Sequence, residues 1–526
     1  MGEFKRFAGE HGRLFILTAL AAVLTFGLLV FGGNIRIDTE ELINEPGTTL
    51  GWLRIGRYGL VLLKRILGLG AHSVIWSGIL FFLFFCLGAD LLLFSFWYFA
   101  GGARGPYWVF ALLYATSNIW CYQIYFSLQQ AEIALAMLLV IVSAHLSVEA
   151  CFVCRGPGRW PKLTVSLVFL TVALGSYQAL AAYYVAVCAA LFLLCAEHRR
   201  PERQPRDVFA GIAVLLAHFL LAYGAYGFIA NRWFMASGIY MDEQRGWGRL
   251  SALDCIKNIL RLMREVLLMR GPENFSFYAA GGLLVLFAVG REWMRRDRAS
   301  APELREILRL LALAVLFYSP FLMVTYSGEK VVARTQFALP LAAAFLGMYG
   351  IGKLQSVSAQ KALRGAASAL AVLAAAVQVS YGYRLTYTDN VRYEQDVKKS
   401  EQMLEALEDA CGGMPAVPVL FVGDLPSELT EVCILTEMYG WSFYEWDYSE
   451  ENPTGATHRI CGFLEAYAGV ELAEGTSEEQ REKAAELALD MQDFPEQGSI
   501  RVTDDMVVVR LSEISGPEQG ELPAAE

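Results

Sequence analysis

Charge is scarce in this sequence. Of 526 residues, only 18% are Asp, Glu, Lys or Arg, against about 25% in an average soluble domain. An ordinary water-soluble enzyme is therefore excluded. Histidines number six and are scattered; His145 and His218 fall inside apolar runs and read as structural. There is no glycine-rich P-loop, so ATP chemistry of that kind is excluded. The serine nucleophile elbow, the HExxH zinc helix and the Rossmann glycine fingerprint are missing too. Gly156-Pro157-Gly158 is only a short loop. No basic, aromatic-rich patch points to nucleic acid. Most of the ten cysteines sit in apolar runs, where they act as small apolar residues. Cys151-Phe152-Val153-Cys154 lacks the second pair that a metal or redox site needs. In the tail a Cys433–Cys461 disulfide is open, with Cys411 left over.

What the chain does have is apolar residues, 55% of the total, in blocks of about 20, the length that crosses ~30 Å of hydrocarbon. Eleven spans are predicted: 14–33, 74–99, 107–126, 131–153, 163–178, 179–196, 208–229, 277–290, 306–324, 334–352 and 363–380. The fifth and sixth are separated only by Ser176-Tyr177-Gln178. Met1 to Arg13 is basic and no small-residue cleavage site follows the first run, so that run reads as an anchor. Lys and Arg concentrate in alternate loops: Lys5, Arg6 and Arg13, then Arg155, Arg159 and Lys162, then the groups at 199–206, 291–309 and 353–364. The positive-inside rule puts these loops and the N-terminus in the cytoplasm. An odd number of spans then puts the C-terminus outside.

Residues 1–392 thus read as a transmembrane domain, with long outer loops at 34–73 and 230–276. Loops of this length tend to be functional. Each contains an amphipathic stretch, Tyr58 to Leu69 and Leu253 to Leu267, suited either to lying in the interface or to packing over the bundle. From Glu394 onward there are 30 acidic and 7 basic residues, which marks a separate acidic domain over 393–515. Its pattern is α/β. A strand is predicted at Val417–Val422, helices at Leu425–Tyr439, His458–Tyr467 and Ser477–Met491, and a hairpin over 500–510 turning at Asp504-Asp505. Residues 516–526 are rich in Glu, Pro and Gly and read as disordered.

The most telling stretch is Asn34-Ile35-Arg36-Ile37-Asp38-Thr39-Glu40-Glu41. Three carboxylates beside an arginine follow directly on an apolar run, so they lie at the bilayer surface. Chemistry on a lipid-linked substrate needs acids at that depth. Two further acids fall in or near spans, where charge is costly and points to function: Asp90 at mid-span, and Glu132 beside Gln129-Gln130 at an outer end.

The run Ile37-Asp38-Thr39-Glu40, followed by Gly51-Trp52-Leu53 and Gly56-Arg57-Tyr58-Gly59-Leu60, resembles the first outer loop of the bacterial type II serotype-converting glucosyltransferases. Gly175-Ser176-Tyr177-Gln178-Ala179 is similar to that family's tyrosine–glutamine element. Arg334-Thr335-Gln336-Phe337-Ala338-Leu339-Pro340 opens a late span with an arginine, as members do. Asp389-Asn390 and Asp396, followed by an acidic tail, resemble the family's C-terminal part. The resemblance covers nearly the whole chain. One departure is that Asp38 and Glu40 are separated by Thr39, whereas many members have adjacent acids.

The resemblance implies a GT-C-like, α-helical polytopic glycosyltransferase of the bacterial cytoplasmic membrane with a small extracytoplasmic α/β domain. It implies transfer of a sugar, glucose by family expectation, from a polyprenyl-phosphate donor to a cell-surface glycan outside the membrane. Asp38 is then the candidate general base, which takes the proton from the acceptor hydroxyl. Glu40 or Glu41 orients the acceptor or, with Asp38, binds a divalent cation such as Mg or Mn. Arg57 and Arg334, with Lys330 next, suit the donor phosphate, because a planar guanidinium binds it in two-pronged fashion. Arg36, Glu132, Tyr177 and Gln178 are further substrate contacts. In the predicted topology Asp38, Arg57, Tyr177, Gln178, Lys330 and Arg334 emerge on one face. Asp38 as a helix cap, the arginines as span anchors and Tyr177 as an interface aromatic are the structural alternatives. Rival functions are a lipid-linked sugar flippase, which calls for internal repeats, and a non-catalytic surface-glycan-binding protein, in which the first-loop acids are dispensable.

Overall fold

The computed structural model describes residues 2–154, 156–198, 205–234, 245–271, 276–294, 304–357 and 361–514. The chain forms two compact units. One comprises Met1–Gly32 and Thr48–Tyr383; the other comprises Gly33–Gly47 and Arg384–Glu526. The expected disordered tail, 516–526, lies outside the described residues, as do Arg155 and parts of the other predicted inside loops.

Seven helices among the described residues are long and apolar enough to cross a membrane: Arg13–Phe31, Val74–Phe99, Ser127–Phe152, Leu180–His198, Arg206–Trp233, Glu306–Ser327 and Lys361–Cys411. The apolar blocks predict eleven, and the other four differ for local reasons. The block at 107–126 is broken into Tyr107–Ala115 and Ile119–Tyr125. There the Thr116 hydroxyl lies within hydrogen-bond distance of the Leu112 carbonyl and the Gln378 amide, while the Trp120 indole N–H takes the Tyr114 carbonyl. The Trp120 side chain thus satisfies a carbonyl that the next turn of helix would have used. Arg159–Ser176 opens on charged Arg159 and Lys162. Tyr278–Met294 is described over 17 residues, and the residues directly after Met294 lie outside the described part. Ala338–Val357 begins late, after a turn at Ala333–Thr335, and carries Lys353 and Gln355. The predicted break at Ser176-Tyr177-Gln178 is present, and Tyr177 there is extended.

Polar side chains tie the membrane helices together. Ser95 hydrogen-bonds His145 at 2.8 Å, and Ser166 hydrogen-bonds His218 at 2.9 Å, each pair bridging two helices. Both histidines are therefore structural, as their apolar settings suggest. Among the described residues no cation pairs Asp90, and one of its carboxylate oxygens is buried without a hydrogen-bond partner. Helix Tyr58–Ile66 crosses the end of Arg159–Ser176 at backbone distance: a Cβ on Gly59 would lie 2.2 Å from the Val172 carbonyl oxygen. Only glycine permits that approach, and it fixes the position of Arg57 just upstream. Helix Ala252–Leu267 presents Leu253, Ile256 and Leu260 outward, as a helix resting on a lipid surface does.

The second unit holds a three-stranded sheet. Its strands are β1 (Val419–Val422), β2 (Ile500–Val502) and β3 (Val507–Arg510), in the order β1-β3-β2. β1 runs parallel to β3, and β2–β3 is the predicted hairpin. Leu420, Val422, Met506 and Val508 pack against Ala484 and Ala488 of helix Glu478–Ala488 and against Met491. Helix Thr457–Ala468 also forms as predicted. The predicted helix Leu425–Tyr439 does not: the segment is irregular. Its backbone groups go instead to side chains of helix Lys361–Cys411. Gln395 exchanges bonds with both the Glu428 N–H and carbonyl, the Ile434 N–H donates to Thr388, and Lys399 donates to the carbonyls of Leu425 and Pro426. With these groups satisfied from outside, a helix would gain little. All cysteines are free, so the Cys433–Cys461 pairing is not made.

Candidate active site

The first-loop acids belong to the second unit, and a buried ion network holds their loop. Asp389 accepts from the Arg36 Nε at 2.8 Å, from Asn34 at 3.1 Å and from Arg392 at 2.8 Å. Arg392 also bonds the Ile35 carbonyl and Asp396. Arg36 is wholly buried. Arg36, expected as a substrate contact, has its Nε on Asp389 in this structure.

Beyond this anchor the backbone turns through Asp38 at φ 64°, a left-handed conformation that is uncommon for residues other than glycine. Helix Thr39–Asn44 follows. Asp38 stands at the capping position, but its side chain makes no cap bond. Its carboxylate meets Arg459, on helix Thr457–Ala468, at 3.2 Å. The same guanidinium binds Glu40 at 2.8 Å, Glu41 at 3.0 Å and Asp447 at 2.8 Å. Four carboxylates thus share one arginine, and His458 lies 3.6 Å from Glu41 and 3.0 Å from Glu474. Asp38 and Glu40, the residues named for a divalent cation if one is bound, both lie against Arg459, which supplies positive charge there; among the described residues no group of three or more acids, histidines or cysteines is disposed to hold a metal.

The acids of this cluster differ in setting. The Asp38 side chain is 41% exposed and that of Glu40 is 1% exposed. The second carboxylate oxygen of Glu40 is buried without a hydrogen-bond partner among the described residues. Burial pushes Glu40 up to about 7, against the pull of Arg459. The neighbouring His458 is raised above the ordinary histidine value, first by its hydrogen bond to Glu474.

The predicted cationic and sugar-binding residues lie in the first unit. The Arg57 guanidinium sits over the Tyr177 ring at 4.9 Å, and that of Arg334 over Phe126 at 3.9 Å. Tyr177 in turn meets Phe337 edge-on at 5.7 Å, three residues after Arg334. The Gln178 amide donates to the Tyr226 hydroxyl at 2.8 Å. Arg57, Tyr177, Gln178 and Arg334 are thus brought into one aromatic neighbourhood. Both arginines are half-buried, and among the described residues neither makes an ion pair. A guanidinium stacked on an aromatic face keeps its N–H edge available for an anion.

Glu132 and Lys330 do not share this role. Glu132 is buried and binds Lys64 at 2.7 Å; Lys64 also donates to the Leu128 carbonyl and lies over Trp52. This buried pair ties helix Tyr58–Ile66 to helix Gln130–Phe152. Lys330 is exposed, and its neighbour Glu329 is engaged by Arg249 at 2.5 Å.

Several residues carried no clear signal in the sequence. Arg459 lies more than 400 positions from the first-loop acids it binds. Gln123, Gln130 and Gln336 are buried amides with hydrogen-bonding atoms unfilled among the described residues. Gln336 follows Arg334 by two residues, and Gln123 lies on helix Ile119–Tyr125, which packs on the turn Ala333–Thr335 that carries Arg334. Buried amides without partners are uncommon. Only the Gln129-Gln130 pair, beside a span acid, was visible beforehand.

Comparison with known families now bears on this arrangement. A family described as glucosyl transferase GtrII matches residues 27–351. The chain belongs to the glucosyl transferase GtrII family. No curated protein matches it. GtrII membership makes the chain a glycosyltransferase with sugar donor and acceptor substrates, and its apolar helices make it a membrane protein. The GtrII match includes the first-loop acids and the arginine neighbourhood. Arg459, Asp389 and Arg392 lie beyond it.

Proposed function

We propose that this glycosyltransferase moves a sugar, glucose by family, from a polyprenyl-phosphate donor to a cell-surface glycan on the outer face of the bacterial cytoplasmic membrane. One observation carries the reading: Arg57 and Arg334 are half-buried, lie over aromatic rings and, among the described residues, make no ion pair, in a unit made of apolar helices. Two such cations suit a phosphate at the headgroup level. The unfilled amides near Arg334 suit sugar hydroxyls, which both donate and accept.

In the proposed step the acceptor hydroxyl oxygen attacks the anomeric carbon. The bond from that carbon to the phosphate oxygen breaks, and the lipid phosphate leaves with the electron pair. The acceptor proton goes to a carboxylate. Asp38 is the base in this reading, because a base must first reach its proton and Asp38 is far more open than Glu40. Glu40 stays behind it, shared with Arg459, and keeps the cluster's charge in balance.

The test is surface-glycan composition by mass spectrometry in cells carrying wild type, Asp38→Asn or a deletion. Protein level in the membrane is measured alongside. Asp38→Asn and the deletion are expected to lose the same sugar while Asp38→Asn is still inserted normally. Loss in the deletion alone would remove Asp38 as base. No change in either would remove the transfer reading.

A further inference from the structure

A groove of about 290 Å³ opens among helices Leu180–His198, Arg206–Trp233 and Leu304–Tyr318 of the first unit. Its floor includes Tyr184, Ala189 and Ala312, all buried, and its rim includes Leu216, Leu311 and Val315, all exposed. The lining is apolar: the Tyr184 hydroxyl, its main polar group, is already bonded to Ser147 at 2.9 Å. On membrane-crossing helices, an exposed apolar rim over a buried apolar floor faces hydrocarbon. Such a slot takes a chain without hydrogen-bonding groups.

The groove is joined to the candidate site by a row of aromatic rings. Tyr184 stacks on Phe219 at 5.7 Å, Phe219 meets Tyr223 at 6.3 Å, and Tyr223 meets Tyr226 at 5.8 Å. Tyr226 stacks on Tyr58 at 6.2 Å and accepts from Gln178. Phe219, Tyr223 and Tyr226 recur at helical spacing, so they share one face. From Phe219 to Tyr226 is roughly 10 Å along the helix. The row ends at Tyr58, the residue after Arg57.

We propose that this groove and its aromatic row hold the isoprenoid tail of a lipid-phosphate donor whose phosphate rests on Arg57. The proposal rests on the lipid-linked-donor reading above. It adds the path of the tail: away from the cation, past the buried Tyr226, along the partly open Tyr223 and Phe219, and into the slot over Ala189 and Ala312. The small residues of the floor make room for methyl-branched chain, and the rings offer flat apolar faces to its double bonds.

Photolabelling the full chain in nanodiscs tests this. One probe is a polyprenyl phosphate with a diazirine at the far end of its tail. A second carries the diazirine beside the phosphate. The tail probe is expected to label Ile212–Phe219 and Leu308–Val315, and the phosphate-proximal probe to label the segment around Arg57. Ala189→Trp and Ala312→Trp fill the groove and are expected to cut tail labelling about tenfold while phosphate-proximal labelling persists. Ala312→Leu, a milder filling, is expected to give an intermediate loss with unchanged thermal unfolding. Unlabelled polyprenyl phosphate suppresses the signal, and equimolar phosphatidylglycerol does not. Saturable phosphate-proximal labelling with tail labelling spread over the whole lipid-facing surface would overturn the groove and leave the donor reading standing. Suppression by phosphatidylglycerol would overturn it as well, because the slot would then take any acyl chain. If neither probe labels saturably, the donor reading falls and the groove with it.

Discussion

Glu40 shows how one residue can link stability to pH. Its carboxyl is buried against Arg459 and raised to about 7, whereas the unfolded chain releases that proton near 4.5. Between these values the folded state holds a proton that the unfolded state has lost. The associated stability is present below about 4.5 and disappears as pH rises through about 7. Glu40→Gln cannot titrate. The gap in melting temperature between variant and wild type is therefore expected to move in the variant's favour from pH 5 to pH 8, read by thermal unfolding of the purified chain. An unchanged gap would mean that Glu40 is already ionised in the folded protein. Lys64 and Glu132 make the complementary case. Breaking a buried pair by removing one partner costs about 3–5 kcal/mol. Lys64→Met and Glu132→Gln are each expected to be strongly destabilising, and the double variant less so than their sum, in a double-mutant cycle of thermal unfolding. Additive losses would show the two side chains to be independent.

At the scale of elements, the contact between helix Tyr58–Ile66 and the end of Arg159–Ser176 sets the position of Arg57 against Tyr177. Gly59→Ala puts a methyl into the Val172 carbonyl, so the helix must shift. Transfer activity is expected to drop at least tenfold, whereas Gly70→Ala, with open space around it, is expected to keep wild-type activity. Equal activity in the two variants would mean that the helix position is immaterial. Element boundaries were legible where local chemistry decides them. The break at Ser176-Tyr177-Gln178 and the hairpin over 500–510 follow from polar and turn residues in plain view. Leu425–Tyr439 was misread because its periodicity is helical, while the groups that satisfy its backbone belong to Gln395, Thr388 and Lys399. The block at 107–126 was misread for a similar reason: hydrophobicity is continuous across it, and at the break the Trp120 indole takes the Tyr114 carbonyl.

At the scale of the whole molecule, the sequence discloses class more readily than connectivity. Apolar blocks, loop charges and an acidic tail identify a membrane chain with a soluble part, and short motifs point to its family. Arg57, Tyr177, Gln178 and Arg334, expected on one face from the topology, share one aromatic neighbourhood in the structure. For Arg36 and Glu132 nothing in the sequence signalled a partner, because a charge beside a span reads alike whether or not it is paired; in the structure they pair with Asp389 and Lys64. Arg459 left no trace, since nothing local ties it to acids so far upstream.

That separation gives the acidic loop an unusual history during synthesis. Glu40 emerges from the ribosome 419 residues before Arg459, the cation that shares its charge. Until then the loop's acids are an uncompensated cluster awaiting their counterion, and the unit they belong to is unfinished. A chain stopped before Thr457 is expected to insert and accumulate in the membrane yet transfer no sugar, as glycan analysis beside membrane immunoblotting would report. Supplying the missing C-terminal piece as a separate polypeptide would then be a complementation experiment. The apolar helices can be inserted early, but the charged cluster is completed only when the last part of the chain arrives.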